Sequence, residues 1–292
     1  MGSGYIDLMG YEEAGIPFSM DRLKINFLKY PIKSLRRACI RYLHDNSEIG
    51  RETIENPGSW RILDHLYGNE PIEETGTFTP KTWADKMFYD SKAAKATKAR
   101  FQRYIEEMKI RGEEYARERD GRVRILSLAS GPGRDVIEVT EELRKRGIDV
   151  FATCVDQCKE AMELGSRIAK RRGLGNINFK RYRINKMNSY ENGNLYDIVI
   201  TQGIMDYLGD ETGTFLLKNS KDVSSDGGTT ITSNMDIHRW MRFWMETFGG
   251  WKLKYRNGEA LKKLFLKAGF DEDKITLTLL PEGYHWIGIG KR

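Results

Sequence analysis

Cysteine is scarce in this chain of 292 residues, which has three, at positions 39, 154 and 158. So few thiols argue against a disulfide framework. Cys154 and Cys158 lie close together in sequence, but no further set of Cys or His residues completes a zinc site around them. We therefore expect free thiols and no bound metal.

Long apolar runs are also missing, because none approaches the roughly 20 residues that a helix needs to cross a bilayer. A signal-peptide pattern is not found at the N-terminus either. These two absences predict a cytoplasmic protein without a membrane partner.

Neither sign of charge dominates, since 48 Lys and Arg residues are interleaved with 42 Asp and Glu residues, for a net charge of +6. We see no basic block with aromatic residues between the charges, as nucleic-acid-binding surfaces have. The basic run at 170–172 fits the last turn of a helix, where cations interact favourably with the helix dipole. The sequence therefore predicts no nucleic-acid partner, and its 39% hydrophobic residues allow a sizeable core.

Residues 1–120 carry apolar side chains at helical spacing and show no strand pattern. Thr79 and Pro80 have the residue types of an N-cap and a first helical position, so a long helix is predicted to start there. Gly112 is expected to end or bend this helix. We expect residues 1–120 to form a helical lid or cap segment, which could also provide a homodimer surface.

From residue 121 to residue 292, short apolar runs alternate with helical patterns, which is typical of a parallel sheet with helices on both faces. Strands are predicted at 123–128, 149–155, 177–183, 196–201 and 228–233. Two of the predicted helices are 205–222 and 238–248. The last two predicted strands, 275–279 and 285–290, are too close in sequence for a parallel crossover and must form an antiparallel hairpin. The sequence thus predicts an α/β fold, a doubly wound Rossmann-like seven-stranded sheet with a C-terminal antiparallel hairpin.

The first predicted strand ends at a loop of small residues, positions 129–133, and a helical pattern follows at once. Gly131 and Gly133 let backbone N–H groups approach a ligand closely, and the helix start behind them adds free donors and partial positive charge. Such a loop suits a phosphate, a carboxylate or a ribose edge. Val136 stands where a dinucleotide fingerprint has its third glycine, and no Gly-Lys-Ser/Thr of a P-loop follows. The same pattern also fits a strand–helix turn that binds nothing.

Three features resemble the class I S-adenosyl-L-methionine (SAM)-dependent methyltransferases, in addition to the closing hairpin. Ile125–Gly133 resembles the first motif of that family, and Tyr196–Ile200 resembles its strand-four motif. Asp156, at the tip of the second strand, stands where the family keeps an acid for the ribose hydroxyls. The resemblance spans residues 88–292 and implies SAM as the cofactor.

A narrower resemblance points to a bacterial group that includes the methyltransferases forming methyl esters of 3-hydroxy fatty acids. Most members of this group have no assigned substrate, so the resemblance implies a small-molecule substrate without naming it. The motifs that carry it are Phe88–Lys92, Thr97–Phe101, Gly203–Leu208, Arg242–Glu246 and Trp251–Arg256.

By this resemblance, the methionine half of SAM lies over the loop after the first strand, and Asp156 accepts hydrogen bonds from the ribose. Asp156 could instead cap the next helix. The adenine is expected at the loop after the third strand, and the sulfonium at the end of the fourth. The predicted cofactor-binding residues are Ala129, Ser130, Gly131, Gly133, Asp135, Asp156, Gln157, Asn185, Lys186, Met187, Gln202 and Gly203.

Two residues depart from the family pattern. Ser127 stands where most of the family carries an acid that helps hold the amino group of SAM, and Ala129 replaces the first loop glycine. We expect Asp135 or a residue of the N-terminal segment to substitute for the acid. If nothing does, the cofactor binds differently or weakly. The alternative function is then consumption of SAM through its aminocarboxypropyl part, by intramolecular cyclisation or group transfer, with release of methylthioadenosine.

The acceptor is expected between the N-terminal segment and the loops after the fourth and fifth strands. His238 is the predicted base, because imidazole titrates near neutrality, although a carboxylate acceptor needs no base. Each of these side chains could instead serve packing or lie at the surface. The main prediction is methylation of a carboxylate or hydroxyl acceptor. The predicted catalytic residues are His238, Tyr207 and Tyr104, and the predicted substrate-binding residues are Tyr89, Arg100, Asp206, Asn234 and Trp240.

Overall fold

The computed structural model describes most of the chain. Its two compact units are Met1–Lys98 with His238–Leu253, and Ala99–Ile237 with Lys254–Arg292. The predicted helix start at 79–80 and most of the predicted helix 238–248 lie outside the described residues. The described residues are 31–56, 58–67, 82–187, 193, 195–238, 242, 245–246 and 252–292, without the side chains of 31–35 and 87.

The first unit is helical where it is described. Its core consists of Ile49, Ile62, Leu66 and Ala94, with the rings of Phe88 and Tyr89 packed against them. Hydrogen bonds at two helix starts support this packing. The Ser47 hydroxyl, which caps the helix that begins at Glu48, also donates to the Asp85 carboxylate in the capping box of the helix that begins at Trp83. The helices are α1 (Pro31–Asn46), α2 (Glu48–Glu55), α3 (Trp60–Tyr67), α4 (Trp83–Tyr89) and α5 (Lys92–Glu118), and α5 continues into the second unit.

The prediction of one long helix through this region is wrong at two points. The helix is interrupted at Asp90–Ser91, where the Ser91 hydroxyl accepts the backbone N–H of Ala94 at 3.1 Å and starts α5. Gly112 does not end the helix, because α5 continues to Glu118. A Cβ at Gly112 would lie 2.6 Å from Cδ1 of Leu143. The glycine therefore serves a close helix–helix approach.

The second unit contains a seven-stranded sheet in the order β3-β2-β1-β4-β5-β7-β6. The first five strands run parallel, and β7 is antiparallel to both β5 and β6. The predicted sheet and its C-terminal hairpin are confirmed. The strands are β1 (Arg122–Leu128), β2 (Asp149–Asp156), β3 (Ile177–Arg181), β4 (Tyr196–Thr201), β5 (Ser224–Met235), β6 (Ile275–Leu279) and β7 (His285–Lys291).

Helices follow the parallel strands, as the alternating pattern predicts. They are α6 (Arg134–Lys145), α7 (Lys159–Arg171), α8 (Asp210–Asp222) and α9 (Gly258–Lys267). The predicted helix 205–222 is wrong at its start, because a 3-10 turn at Met205–Tyr207 precedes α8, whose N-cap is Gly209. In the described part of the chain, no helix is long and apolar enough to cross a membrane.

Glycines in β7 bring the closing hairpin close to α9. A Cβ at Gly288 would lie 2.6 Å from Cε2 of Phe265 and 3.2 Å from side-chain atoms of Leu261 and Leu277. Since close-packed interiors cannot absorb an extra methyl group without shifting, this glycine fixes the distance between helix and sheet.

We expect Gly288→Ala to lower the free energy of unfolding by about 1–3 kcal/mol, because the new methyl group overpacks the contact with Phe265. Urea unfolding at equilibrium measures this. The control is Gly175→Ala, whose Cβ would meet no atom within 4 Å. Equal effects of the two substitutions would contradict the packing explanation.

Candidate functional site

The carboxyl ends of the parallel strands meet at one edge of the sheet, and the loops that follow them form the candidate site. This edge is where ligands bind in open α/β sheets. Most of the residues that the sequence predicts to bind the cofactor follow β1, β2, β3 or β4 here.

The loop after β1 takes a left-handed backbone conformation at three of its five residues. The φ angles are 53° at Ala129, 53° at Gly131 and 66° at Gly133. A Cβ at Gly133 would lie 2.7 Å from Sγ of Cys154, so only glycine fits between this loop and β2. Ala129 and Ser130 are half-buried, and the two glycines are buried. The first loop position is thus an alanine in a conformation that favours glycine.

Asp156 connects this loop to the start of α7. Its Oδ2 accepts the backbone N–H of Gly131 at 2.9 Å, and its Oδ1 accepts that of Cys158 at 2.8 Å. Burial raises the pKa of Asp156, and the bonds from these N–H groups offset the rise. The N-cap of α7 is Cys158, not Asp156. The carboxylate therefore holds two loops together at the tip of β2, and Gln157 beside it is half-buried.

Two polar side chains near the loop are buried, Ser127 without a hydrogen-bond partner and Asp135 without a cationic partner among the described residues. Ser127 is fully buried, and its hydroxyl has no hydrogen-bond partner among the described residues. Asp135 is 3% exposed and accepts the backbone N–H of Val136 at 2.8 Å. Burial raises the pKa of Asp135 to about 6. Asp135 is therefore a buried acid directly beside the loop after β1.

The residues after β3 occupy three different environments. Asn185 is half-buried, and its Oδ1 has no hydrogen-bond partner in the described part of the chain. Lys186 is exposed and Met187 is fully buried. Of the three, Asn185 offers the free polar atom that an adenine edge could use.

Tyr104 joins α5 to the end of β4. The phenol is fully buried and donates to the backbone oxygen of Thr201 at 3.2 Å. Burial raises its pKa, while the neighbouring Ser233 hydroxyl and Arg100 oppose the rise. The phenol thus stays protonated at neutral pH and acts as a donor rather than a base. Gln202 and Gly203, the next residues of the chain, are half-buried, and Gly203 has a φ of 73°.

A buried ion pair lies behind the loop after β4. Nη1 of Arg100 lies 3.2 Å from Oδ2 of Asp206, and the Oδ1 of Asp206 accepts the backbone N–H of Met235 at 2.6 Å. Nη1 also lies 3.5 Å from Nε2 of His285. Since a guanidinium only donates, Nε2 accepts and the ring is neutral, which agrees with a pKa lowered by burial. Arg100 and Asp206 were predicted to bind substrate, and the structure pairs them with each other.

Arg256 fixes the same loop from the other side. Its buried guanidinium donates to the backbone oxygens of Met205 at 3.0 Å and Leu208 at 2.6 Å, and to Oδ1 of Asn234 at 2.7 Å. It also pairs with Asp210 at 2.8 Å. Asn234, another predicted substrate residue, is fully buried in this arrangement.

Sequence reasoning gave no role to Arg256 or His285. Arg256 belongs to a motif that the group resemblance quotes, and this was an available signal. His285 opens β7 without any motif, and no sequence signal marks it.

The remaining predicted catalytic and substrate-binding residues are Tyr207, His238, Tyr89 and Trp240. Tyr207 is half-buried in the 3-10 turn, and His238 is exposed. Tyr89 belongs to the first unit, where the Lys98 ammonium lies 3.2 Å from its ring centroid. Trp240 lies outside the described residues. No group of His, Cys, Asp and Glu in the described residues is arranged to hold a metal ion.

Removing the Arg256 guanidinium should destabilise the fold strongly, because buried backbone oxygens then lose their donors. We expect Arg256→Gln to lower the free energy of unfolding by about 3–5 kcal/mol, measured by urea unfolding. Asp210→Asn provides the control, since this 70% exposed partner should cost less than about 1 kcal/mol. Similar losses in the two variants would assign the stabilisation to the surface ion pair instead.

Replacing Ala129 with glycine should stabilise the protein by removing the backbone strain at this position. We expect Ala129→Gly to raise the free energy of unfolding by about 0.5–1 kcal/mol, because glycine adopts the left-handed conformation without a Cβ clash. Ala152→Gly in β2, where the backbone is a regular strand, should instead destabilise. Thermal and urea unfolding measure both, and a destabilised Ala129→Gly variant would contradict the strain.

A comparison of the sequence with known families finds a match that includes this edge of the sheet. Residues 119–269 match the family described as "Methyltransferase domain". The sequence matches no curated protein.

Three solved structures are similar to this chain. A possible exported protein from Bordetella parapertussis shares 15% identity, over 89% of this chain and 87% of that chain, with a TM-score of 0.67. Magnesium protoporphyrin IX methyltransferase from Synechocystis, solved with bound S-adenosylhomocysteine (SAH), shares 14% over 88% and 99%, with a TM-score of 0.54. An O-methyltransferase family protein from Burkholderia thailandensis shares 13% over 71% and 62%, with a TM-score of 0.52. At these identities the likeness concerns the fold.

The family match covers more than half of the chain and includes the loop after β1, Asp156 and the end of β4. The strand order and the antiparallel β7 agree with it. The chain therefore belongs to the methyltransferase domain family and is a class I SAM-dependent methyltransferase.

Proposed function

We propose that this enzyme transfers the methyl group of SAM to a small-molecule acceptor that carries a carboxylate or a hydroxyl. One observation carries the proposal. The left-handed loop after β1 is tied by the Gly131 N–H to Asp156, so a glycine-rich turn and a ribose-type acid are held side by side. This arrangement suits the methionine half and the ribose of one ligand.

The proposed cofactor contacts follow the strand ends in order. Loop residues 129–133 take the methionine half, and Asp156 takes the ribose hydroxyls. The free Oδ1 of Asn185 supports the placement of adenine at 185–187. Gln202 and Gly203, at the end of β4, are left for the sulfonium and the acceptor.

Methyl transfer is an in-line displacement. An acceptor oxygen forms a bond to the methyl carbon while the bond from that carbon to sulfur breaks, and SAH leaves. The sulfonium already activates the methyl group, so the protein mainly holds the two reactants in line, which can supply about 7–11 kcal/mol of the barrier. A base is needed only where the acceptor oxygen carries a proton.

Two titratable groups beside the end of β4 favour a carboxylate acceptor over a hydroxyl, because neither can serve as a base. Tyr104 stays protonated, and Asp206 is held by Arg100 and by the Met235 N–H. Neither is available as a base near β4. For a hydroxyl acceptor, His238 is the proposed base, since it is exposed and a neutral imidazole has a nitrogen that can accept a proton. Tyr207, in the 3-10 turn, is the proposed contact to the acceptor itself.

We further propose that the helical segment 1–120 covers the acceptor and provides a homodimer surface. Exposed apolar side chains on its helices support the dimer. They include Trp83, which is 68% exposed, and Tyr42, which is 49% exposed. Tyr89 and Trp240 are proposed to contact the acceptor.

The second candidate function is use of the aminocarboxypropyl part of SAM. Ser127 favours it, because this buried serine replaces the acid that normally ties down the amino group, and its hydroxyl has no partner among the described residues. A free amine could attack the carbon next to sulfur and release methylthioadenosine.

Product analysis by mass spectrometry distinguishes the two functions. We expect the full chain, incubated with SAM and 3-hydroxy fatty acids of several lengths, to form SAH and the methyl esters. The matched control is the amide of each acid, which keeps the chain but removes the carboxylate. Methylthioadenosine without an acceptor would support the second function. A protein that binds no SAM and forms neither product would contradict both.

A further inference from the structure

We propose that the carboxylate of Asp135 binds the α-ammonium group of SAM and replaces the acid that the chain lacks at Ser127. The inference rests on SAM as the methyl donor. It assigns an ammonium-binding site to a residue on a helix, where the family resemblance expects an acid on a strand.

Asp135 differs from the other buried acids of the second unit in its partners. Glu107, Asp197 and Asp206 each form an ion pair with arginine in the described structure. Among the described residues, Asp135 has no Lys, Arg or His partner and accepts only backbone N–H groups. The protein thus balances each of these buried carboxylates except this one.

An ionised carboxylate without a cation is costly to bury, because it loses its hydration. Folded proteins therefore pair such groups, neutralise them or use them to hold a ligand. The raised pKa of Asp135, about 6, leaves the group ionised at neutral pH despite its burial. A cationic group of a ligand would supply the missing partner.

The position of Asp135 matches the proposed place of the methionine half of SAM. It lies in the first turn of α6, two residues after Gly133 of the loop. Gly133 packs closely on Sγ of Cys154 on β2. Burial raises the pKa of Cys154 and of Tyr104 on α5, and the charge of Asp135 adds to the rise in both. Tyr104 in turn donates to Thr201 at the end of β4. Asp135 therefore lies beside the loop after β1 and within electrostatic reach of β2 and α5.

Binding at Asp135 has a consequence for the reaction. An amino group held as an ammonium by a carboxylate has no lone pair, so it cannot attack the carbon next to sulfur. The ion pair thus disfavours intramolecular cyclisation through nitrogen and leaves the methyl group as the part of SAM that is transferred.

Calorimetric titration of the full chain tests this assignment with two ligands. One is SAH, and the other is its analogue without the α-amino group. We expect the wild type at pH 7 to bind SAH about 10- to 100-fold more tightly than the analogue, because one charge-assisted hydrogen bond separates them. Asp135→Asn should lose that preference by binding SAH more weakly while binding the analogue unchanged. Glu138→Gln, one helical turn away and half-buried, is the matched control and should keep the preference.

The possible outcomes separate a failure of this assignment from a failure of the proposed function. Equal losses for both ligands in Asp135→Asn would make the residue structural and overturn the inference, as would an unchanged preference. Unchanged binding of the analogue also shows that the variant folds. A wild-type protein that binds neither ligand would remove the proposed function together with this site.

The pH dependence of binding gives a second readout. The titratable groups around Asp135 are Glu138 on its own helix, Cys154 on β2 and Tyr104 on α5. Burial raises the pKa of both Cys154 and Tyr104, so neither titrates between pH 5 and 7. Because an ammonium favours the ionised carboxylate, wild-type affinity for SAH should fall as pH drops below 6, by up to about tenfold per unit. Glu138→Gln should keep this slope, and Asp135→Asn should lose it. A slope that persists in Asp135→Asn would overturn the inference.

Discussion

The interaction on which the site depends is the buried guanidinium of Arg256. It donates to the backbone oxygens of Met205 and Leu208, which bracket the 3-10 turn in the loop after β4, and to the amide oxygen of Asn234 on β5. Without it, a buried loop would leave polar groups unpaired, and each such group costs about 1–3 kcal/mol. The loop carries Tyr207 and directly follows Gln202 and Gly203. The placement of the proposed acceptor contacts therefore rests on one side chain that lies about fifty positions further along the chain.

This network also changes the meaning of the group motifs. The sequence presents Thr97–Phe101, Gly203–Leu208 and Trp251–Arg256 as separate signatures. In the structure Arg100, Asp206 and Arg256, one from each motif, hold the same loop. In this chain the three motifs thus build a scaffold beneath the loop after β4. Such a scaffold does not depend on the acceptor, which agrees with motifs that do not identify a substrate.

The sheet could be predicted from the sequence because its signals are local. Short apolar runs, turn residues and the narrow gap before β7 fix the strands, and the predicted β6 at 275–279 agrees with the structure residue for residue. The break at Asp90 and the passage of α5 through Gly112 could not be predicted, since the second depends on contact with Leu143. The side chains show the same contrast between local signals and contacts with distant segments. The glycine loop and Asp156 were visible locally, whereas the burial of Arg100, Asp206 and Asn234 depends on partners from distant segments.

Asp206 is bonded through its backbone as well as its side chain, and this couples the motions of three segments. Its side chain accepts the N–H of Met235, and its backbone oxygen accepts the N–H of Lys254 at 2.7 Å. The N–H of Arg256 in turn donates to the backbone oxygen of Met235 at 3.0 Å. These three amides share one set of bonds, so a single opening event exposes them all to solvent. Amide hydrogens should therefore exchange as one cooperative unit in three places: the end of β5, the segment at 254–256 and the loop after β4.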